Sequence, residues 1–144
     1  MMNRYYCLNE EEFMEAQACL LLAYQQGLID QPGIEGVEIR RLAKKIEPYG
    51  LSSFSPPAYL QYELTRFRLD FVSENEVIQQ NHNYSKISEE RKRGYYKEHP
   101  QLFTRYHGDF FSYKEVAMII EKRIREEEYN ELIQNLLCQF DTRS

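Results

Sequence analysis

The sequence predicts an all-α single domain of five or six helices. Apolar residues recur at three- and four-residue spacings through most of the chain, and Asn or Ser followed three residues later by Glu opens several of those stretches. Only Arg4 to Leu8 invites a strand reading, and one short strand forms no sheet alone. At 144 residues and 42% hydrophobic content, a single core suffices without metal or disulfide, since a chain of this size buries roughly 68–70% of its unfolded surface.

A first helix is expected from Asn9, whose side chain and Glu12 have capping-box spacing, and Gly27 is placed to stop it. Residues 18 to 24 are apolar all round, so this helix should be central and buried on most sides. Leu28 to Gly36 reads as a loop, rich in turn residues. Val37 to Glu47 then sets Ile39, Leu42, Ala43 and Ile46 on one face and Arg40, Arg41, Lys44 and Lys45 on the other, with a stop near Pro48 and Gly50.

Ser55 before Pro56-Pro57 is a natural helix start, because prolines in a first turn give up amide protons that have no helical acceptor. Leu60, Leu64, Phe67 and Phe71 give the cleanest stripe in the chain. This helix either runs on through Ile78 or breaks at Ser73, whose spacing to Glu76 offers another capping box. Gln79 to Ser85 reads as an exposed connection, Ser88 as a cap for a helix through Lys97, and Pro100 to Asp109 as turns. Ser112 and Glu115 open a last, long stripe from Val116 to Phe140. Its phase shifts between Ile124 and Tyr129, so the helix is expected to be either continuous or bent near 125 to 128. The expected core is Phe13, Leu20, Leu21, Tyr24, Leu42, Ile46, Leu60, Leu64, Phe67, Phe71, Val116, Ile120, Ile124, Leu132, Leu136 and Phe140.

The formal charge of −5 is uneven: successive quarters of the chain carry −5, +2, +1 and −3. No apolar run approaches the roughly 20 residues that span a bilayer, and the N-terminus lacks the basic-then-apolar order of a secretory signal, so a cytoplasmic protein is expected. Three widely spaced cysteines fit neither a disulfide framework nor a zinc knuckle; Cys19 and Cys138, in apolar stripes, read as buried thiols. His82, His99 and His107-Gly108-Asp109 place no two histidines at i, i+4, and no metal or cofactor is expected. Phosphate-loop, nucleophile-elbow and His-Glu-x-x-His motifs are missing.

Two patterns point toward nucleic acid. Lys92, Arg93, Tyr95, Tyr96 and Lys97 interleave cations with rings, the combination that binds phosphates and stacks bases. Residues 37 to 68 could be read as a helix-turn-helix with Tyr59, Gln61 and Arg66 facing DNA, although about eight residues separate the helices where three or four are usual.

A third pattern is Arg93-Gly94-Tyr95-Tyr96-Lys97-Glu98-His99, in an otherwise helical chain. It resembles the Arg-x4-6-His signature of HEPN ribonucleases, from which it departs at Gly94, where that family usually has a polar residue. The resemblance implies a dimeric helical bundle that cleaves RNA without metal, His99 acting as general acid or base and Arg93 stabilising the phosphate charge.

The leading expectation is a non-catalytic protein-binding module: an inhibitor, immunity, adaptor or anti-defence protein that takes a basic protein surface. Its binding acids would be Glu10, Glu11 and Glu12 at the first helix and Glu126, Glu127 and Glu128 in the last, steering a cationic partner. The long last stripe would also suit a homodimer.

Overall fold

The computed structural model describes residues 4–44 and 54–142. Among these lie six helices: α1 (Glu10–Gln25), α2 (Ile34–Lys44), α3 (Pro56–Val72), α4 (Glu76–Asn81), α5 (Glu89–Glu98) and α6 (Tyr113–Thr142). Two 3-10 turns, Pro100–Phe103 and Tyr106–Gly108, connect α5 to α6. No strand forms among the described residues, and a lone antiparallel bridge joins Thr104 to Phe110. The bundle is all-α, as the sequence predicts.

The local signals act where expected. Asn9 accepts from the Glu12 amide at 2.8 Å while Glu12 accepts from the Asn9 amide at 3.0 Å, completing the capping box of α1. Gly27, at φ +83°, ends that helix in a Schellman turn, with its own amide donating to Tyr24 O and that of Leu28 to Ala23 O. Ser55 and Ser88 cap α3 and α5. The break after α3 is real but has a different cap: Asn75, and not Ser73, accepts from an α4 amide, that of Val77. The helix also continues to Asn81, into the stretch expected to be an open connection.

α6 is the spine of the bundle and runs unbroken for 30 residues. Its phase shift has a packing cause. Val116, Ile120 and Ile124 pack with Tyr95 of α5 and Phe103, whereas Tyr129, Ile133 and Leu136 pack with Ala18 and Leu22 of α1, Phe71 of α3 and Ile78 of α4. One helix therefore serves two cores, and its buried stripe turns where the partners change. A third cluster joins α1, α2, α3 and the N-terminal Tyr6 and Leu8. In it, burial pushes the Tyr6 phenol up to about 12.

Arg125 occupies the turn between the two stripes and is only 3% exposed. Its Nη1 donates to Glu128 at 2.8 Å and its Nη2 to the Ser85 carbonyl at 2.8 Å. Nη2 also reaches Glu74 at 3.3 Å, and the guanidinium lies 4.7 Å from the Tyr84 ring centre. Tyr84 in turn donates to the Phe71 carbonyl at 2.6 Å. Glu74 is held at φ +56° as the left-handed residue of a second Schellman turn, with its amide on Phe71 O and that of Asn75 on Asp70 O. A side chain is rarely accepted at such a position, but here its carboxylate answers a buried cation.

Three expected core residues fare differently. Ile46, like the helix stop at Pro48 and Gly50, lies outside the described residues. Tyr24 and Leu42 are exposed. For Leu42 the reason is long-range: α2 starts earlier than expected, at Ile34, and turns its cations inward, burying Val37 and Arg41 and leaving Ile39 and Leu42 outside. Glu63 of α3 is buried and takes Arg40 as a bidentate partner at 2.7 and 2.9 Å, while Arg41 pairs with Glu38 and donates to the Phe54 carbonyl at 3.3 Å. A buried carboxylate without a cation costs more than two leucine-sized side chains left half in water. Tyr24 follows Leu20 by four residues on the same side of α1, but it lies in the helix's last turn and is exposed.

Replacing Arg125 with Ala is expected to cost about 2–3 kcal/mol in urea unfolding, since Glu74 and Glu128 lose their shared cation yet keep some contact with water. At position 74, Glu74→Ala keeps the left-handed strain and loses the ion pair, whereas Glu74→Gly loses the pair but relieves the strain. The Gly variant should therefore be the more stable of the two by about 1 kcal/mol.

Candidate functional site

The acids expected to meet a partner are largely engaged within the chain. Glu10, Glu11 and Glu12 stand exposed in the first turn of α1, with Glu12 serving the cap. Glu128 holds Arg125, lies 3.6 Å from Arg91 and contacts the Ser85 hydroxyl. Glu127 accepts from the Tyr95 hydroxyl at 3.0 Å, and Glu126 lies 4.0 Å from Arg68. The six acids thus form two groups with different duties.

On α5, six residues correspond to one and two-thirds helical turns, which puts Arg93 and His99 on different sides. Arg93 lies over the Tyr113 ring at 4.3 Å and 3.6 Å from Glu89. His99 ends the helix: its imidazole stacks on Tyr95 at 4.1 Å, and Nδ1 must donate to the Tyr95 carbonyl at 2.9 Å, which leaves Nε2 as the acceptor in the neutral ring. The hollow that His99 lines is shared with Arg91, Glu98 and Glu127, not with Arg93.

The two rings of this stretch turn inward. Tyr95 is buried in the core beside Ile124, and Tyr96 stacks on Phe103 and donates to the Phe111 carbonyl at 2.6 Å. Tyr95 thus offers no face to a base, and Tyr96 is half-buried with one face on Phe103. Lys92 lies 3.4 Å from Glu89, and Lys97 is exposed. Tyr59, read as a DNA contact, is buried against α1.

A groove of about 570 Å³ runs between α1, α3 and α6. Glu12, Glu15, Gln61, Arg68 and Asn130 make its polar walls, with Arg68 donating to Asn130 at 2.8 Å, and Tyr129 and Cys19 lie at its floor. Burial pushes the Cys19 thiol up to about 11 and raises the Tyr129 phenol as well. Cys138, expected inside, is exposed, as is Cys7. Among the described residues no cluster of three His, Cys, Asp or Glu gathers to hold a metal, and no helix is long and apolar enough to cross a membrane.

Several exposed apolar side chains lie where the 3-10 turns meet α6. Tyr106 is 92% and Met118 76% exposed, Phe110 and Ile119 are about half exposed, and Leu102 and Phe111 are more than a third exposed. Arg105 links the turns to α6: its guanidinium lies 4.3 Å over the Phe111 ring and 2.6 Å from Glu115, one helical turn before Met118 and Ile119. The backbone beneath is well tied, with the Arg105 amide on Asp109 O at 2.6 Å and that of Phe111 on Phe103 O at 2.8 Å. Single aromatic residues in this stretch are visible in the sequence, but the Arg105 contacts with Phe111 and Glu115 and the Thr104–Phe110 bridge come only from the fold.

No family model matches the chain, and no curated protein is significantly similar to it. The fold is similar to part of the crystal structure of the GH136 lacto-N-biosidase from Eubacterium ramulus. For the native protein the TM-score is 0.70 and the identity 25%, over 90% of this chain and 28% of that one. For its selenomethionine derivative the values are 0.71 and 26% over the same shares. This chain thus spans less than a third of the length of the hydrolase it resembles.

Thiol chemistry reports directly on the groove. A thiol reagent near pH 8 should label Cys7 and Cys138 quickly and leave Cys19 untouched until the protein unfolds, because a raised pKa and burial both withhold the thiolate. Mass spectrometry of the labelled peptides reads the outcome.

Proposed function

We propose that this helical unit is a non-catalytic protein-binding module that packs against the catalytic body of a glycoside hydrolase. The observation that carries the reading is the share of each chain in the structural likeness: nearly all of this bundle corresponds to a minor part of a lacto-N-biosidase. A partner of the same kind would supply the remainder, whether in the same polypeptide or as a separate chain.

The distribution of carboxylates supports a non-catalytic role. Glycosidases typically set two carboxyl groups on either side of the scissile bond, about 5–9.5 Å apart. Glu12 and Glu15 line the groove between α1, α3 and α6 from one turn of a single helix, so both approach from the same wall. Glu63 is taken by Arg40, Glu127 by Tyr95 and Glu128 by Arg125. The free thiols of Cys7, Cys19 and Cys138 are in keeping with a reducing compartment such as the cytoplasm.

The purified chain is expected to show no lacto-N-biosidase activity by itself. As tagged bait in an extract of its source cells, it should retain a protein with a glycoside hydrolase catalytic body, identified by mass spectrometry, and glycosidase activity should elute with that protein. Hydrolysis by the isolated chain would sink the non-catalytic assignment, and a retained fraction devoid of any glycoside hydrolase would sink the choice of partner.

A further inference from the structure

We infer that the apolar surface formed by Leu102, Tyr106, Phe110, Phe111, Met118 and Ile119 is the face that seats against the hydrolase body. The inference rests on the reading above and names the place where the partner binds.

Large apolar side chains scattered singly over a surface are ordinary, but six of them between residues 102 and 119, where the turns are tied to α6 through Arg105, mark an interaction site. Three of the six are aromatic and one is methionine, the side chains enriched at the centres of protein interfaces. Met118 and Ile119 project from an α-helix, while Tyr106 and the two phenylalanines sit on turns whose backbone is fixed by the Arg105 and Phe111 amides, the Tyr96 hydroxyl and the left-handed Gly108 at φ +77°. Such a surface loses little freedom on binding.

Its charges are already balanced. Arg105 is neutralised by Glu115 and laid over Phe111, so the middle of the patch presents rings and a methionine rather than a lone ion. The occupant is therefore an apolar depression on a protein, not an acidic or basic strip. In the E. ramulus enzyme the match covers 28% of a longer chain, so most of that chain lies outside the matching bundle, which favours a different partner over a second copy of this chain.

The test uses the tagged full chain in source-cell extract, with quantitative mass spectrometry of what is retained and gel filtration of the chain alone. Tyr106→Ser combined with Met118→Ser should deplete the retained glycoside hydrolase at least tenfold without shifting the thermal midpoint, because both side chains are open to water. Ile39→Ser combined with Leu42→Ser, on the exposed side of α2, should retain it at the wild-type level. If the hydrolase is retained equally by the Tyr106/Met118 variant, or is lost only with the α2 variant, the patch assignment is overturned while the accessory role stands. If the wild type retains no hydrolase, both fall. Self-association abolished by Tyr106→Ser and Met118→Ser would reassign the face to a second copy of the chain.

Discussion

The buried guanidinium of Arg125 is the constraint on which the rest of the arrangement depends. A charge taken that far from water is tolerated only with close partners and hydrogen bonds, and the chain supplies them from three places: Glu74 beyond α3, Ser85 and Tyr84 in the extended segment before α5, and Glu128 one turn further along α6. The segment between α4 and α5 forms no helix of its own, so these contacts fix its course. Its Tyr84 then bonds to the last turn of α3. The demand is strong enough to put a glutamate at a backbone position that ordinarily takes glycine.

The same constraint explains why α6 can serve two cores. Val116 to Ile124 belongs with α5, Tyr129 to Leu136 with α1, α3 and α4, and Arg125 fills the side of the helix where one stripe gives way to the other. An apolar residue there would have no single core to join. The buried Nε of Arg125 finds no hydrogen-bond partner among the described residues, so the site is held by its two Nη groups and by the Tyr84 ring.

Features decided within one helical turn were legible in the sequence. Asn9, Ser55 and Ser88 cap the helices they precede, and Gly27 ends the first, because those hydrogen bonds involve neighbours only. Features decided by remote partners were not. The face that α2 buries depends on Glu63, more than twenty residues away, and Arg125 sits in a run of charges that reads as a solvated surface. For the candidate site the same division holds. Arg93 and His99 are close in sequence but go to different surroundings, whereas Arg105 ties Phe111 of the turns to Glu115 of α6, a relation no local spacing records. The glutamates of the last helix mislead for a related reason: Glu115 pairs with Arg105, and Glu128 with Arg91 and Arg125, so these acids are engaged by the chain's own cations although the net charge is unchanged.

Stability and association should then be coupled through the smaller lobe. The cluster that joins α5, the 3-10 turns and the first half of α6 contains five buried side chains, fewer than either of the other two, and it carries the open apolar face. This lobe is attached to the larger cores by a continuous helix and by the contacts of Arg125, Arg91 and Ser85 with Glu128, so it is positioned even though its own buried surface is small. Small cores lie at the low end of local stability. A partner that covers Tyr106 and Met118 adds to this lobe the burial it cannot provide for itself, and binding to the folded form stabilises it in proportion to ligand saturation. The division of labour along α6 follows: its second half secures the bundle, and its first half, with the turns before it, carries the exposed apolar side chains.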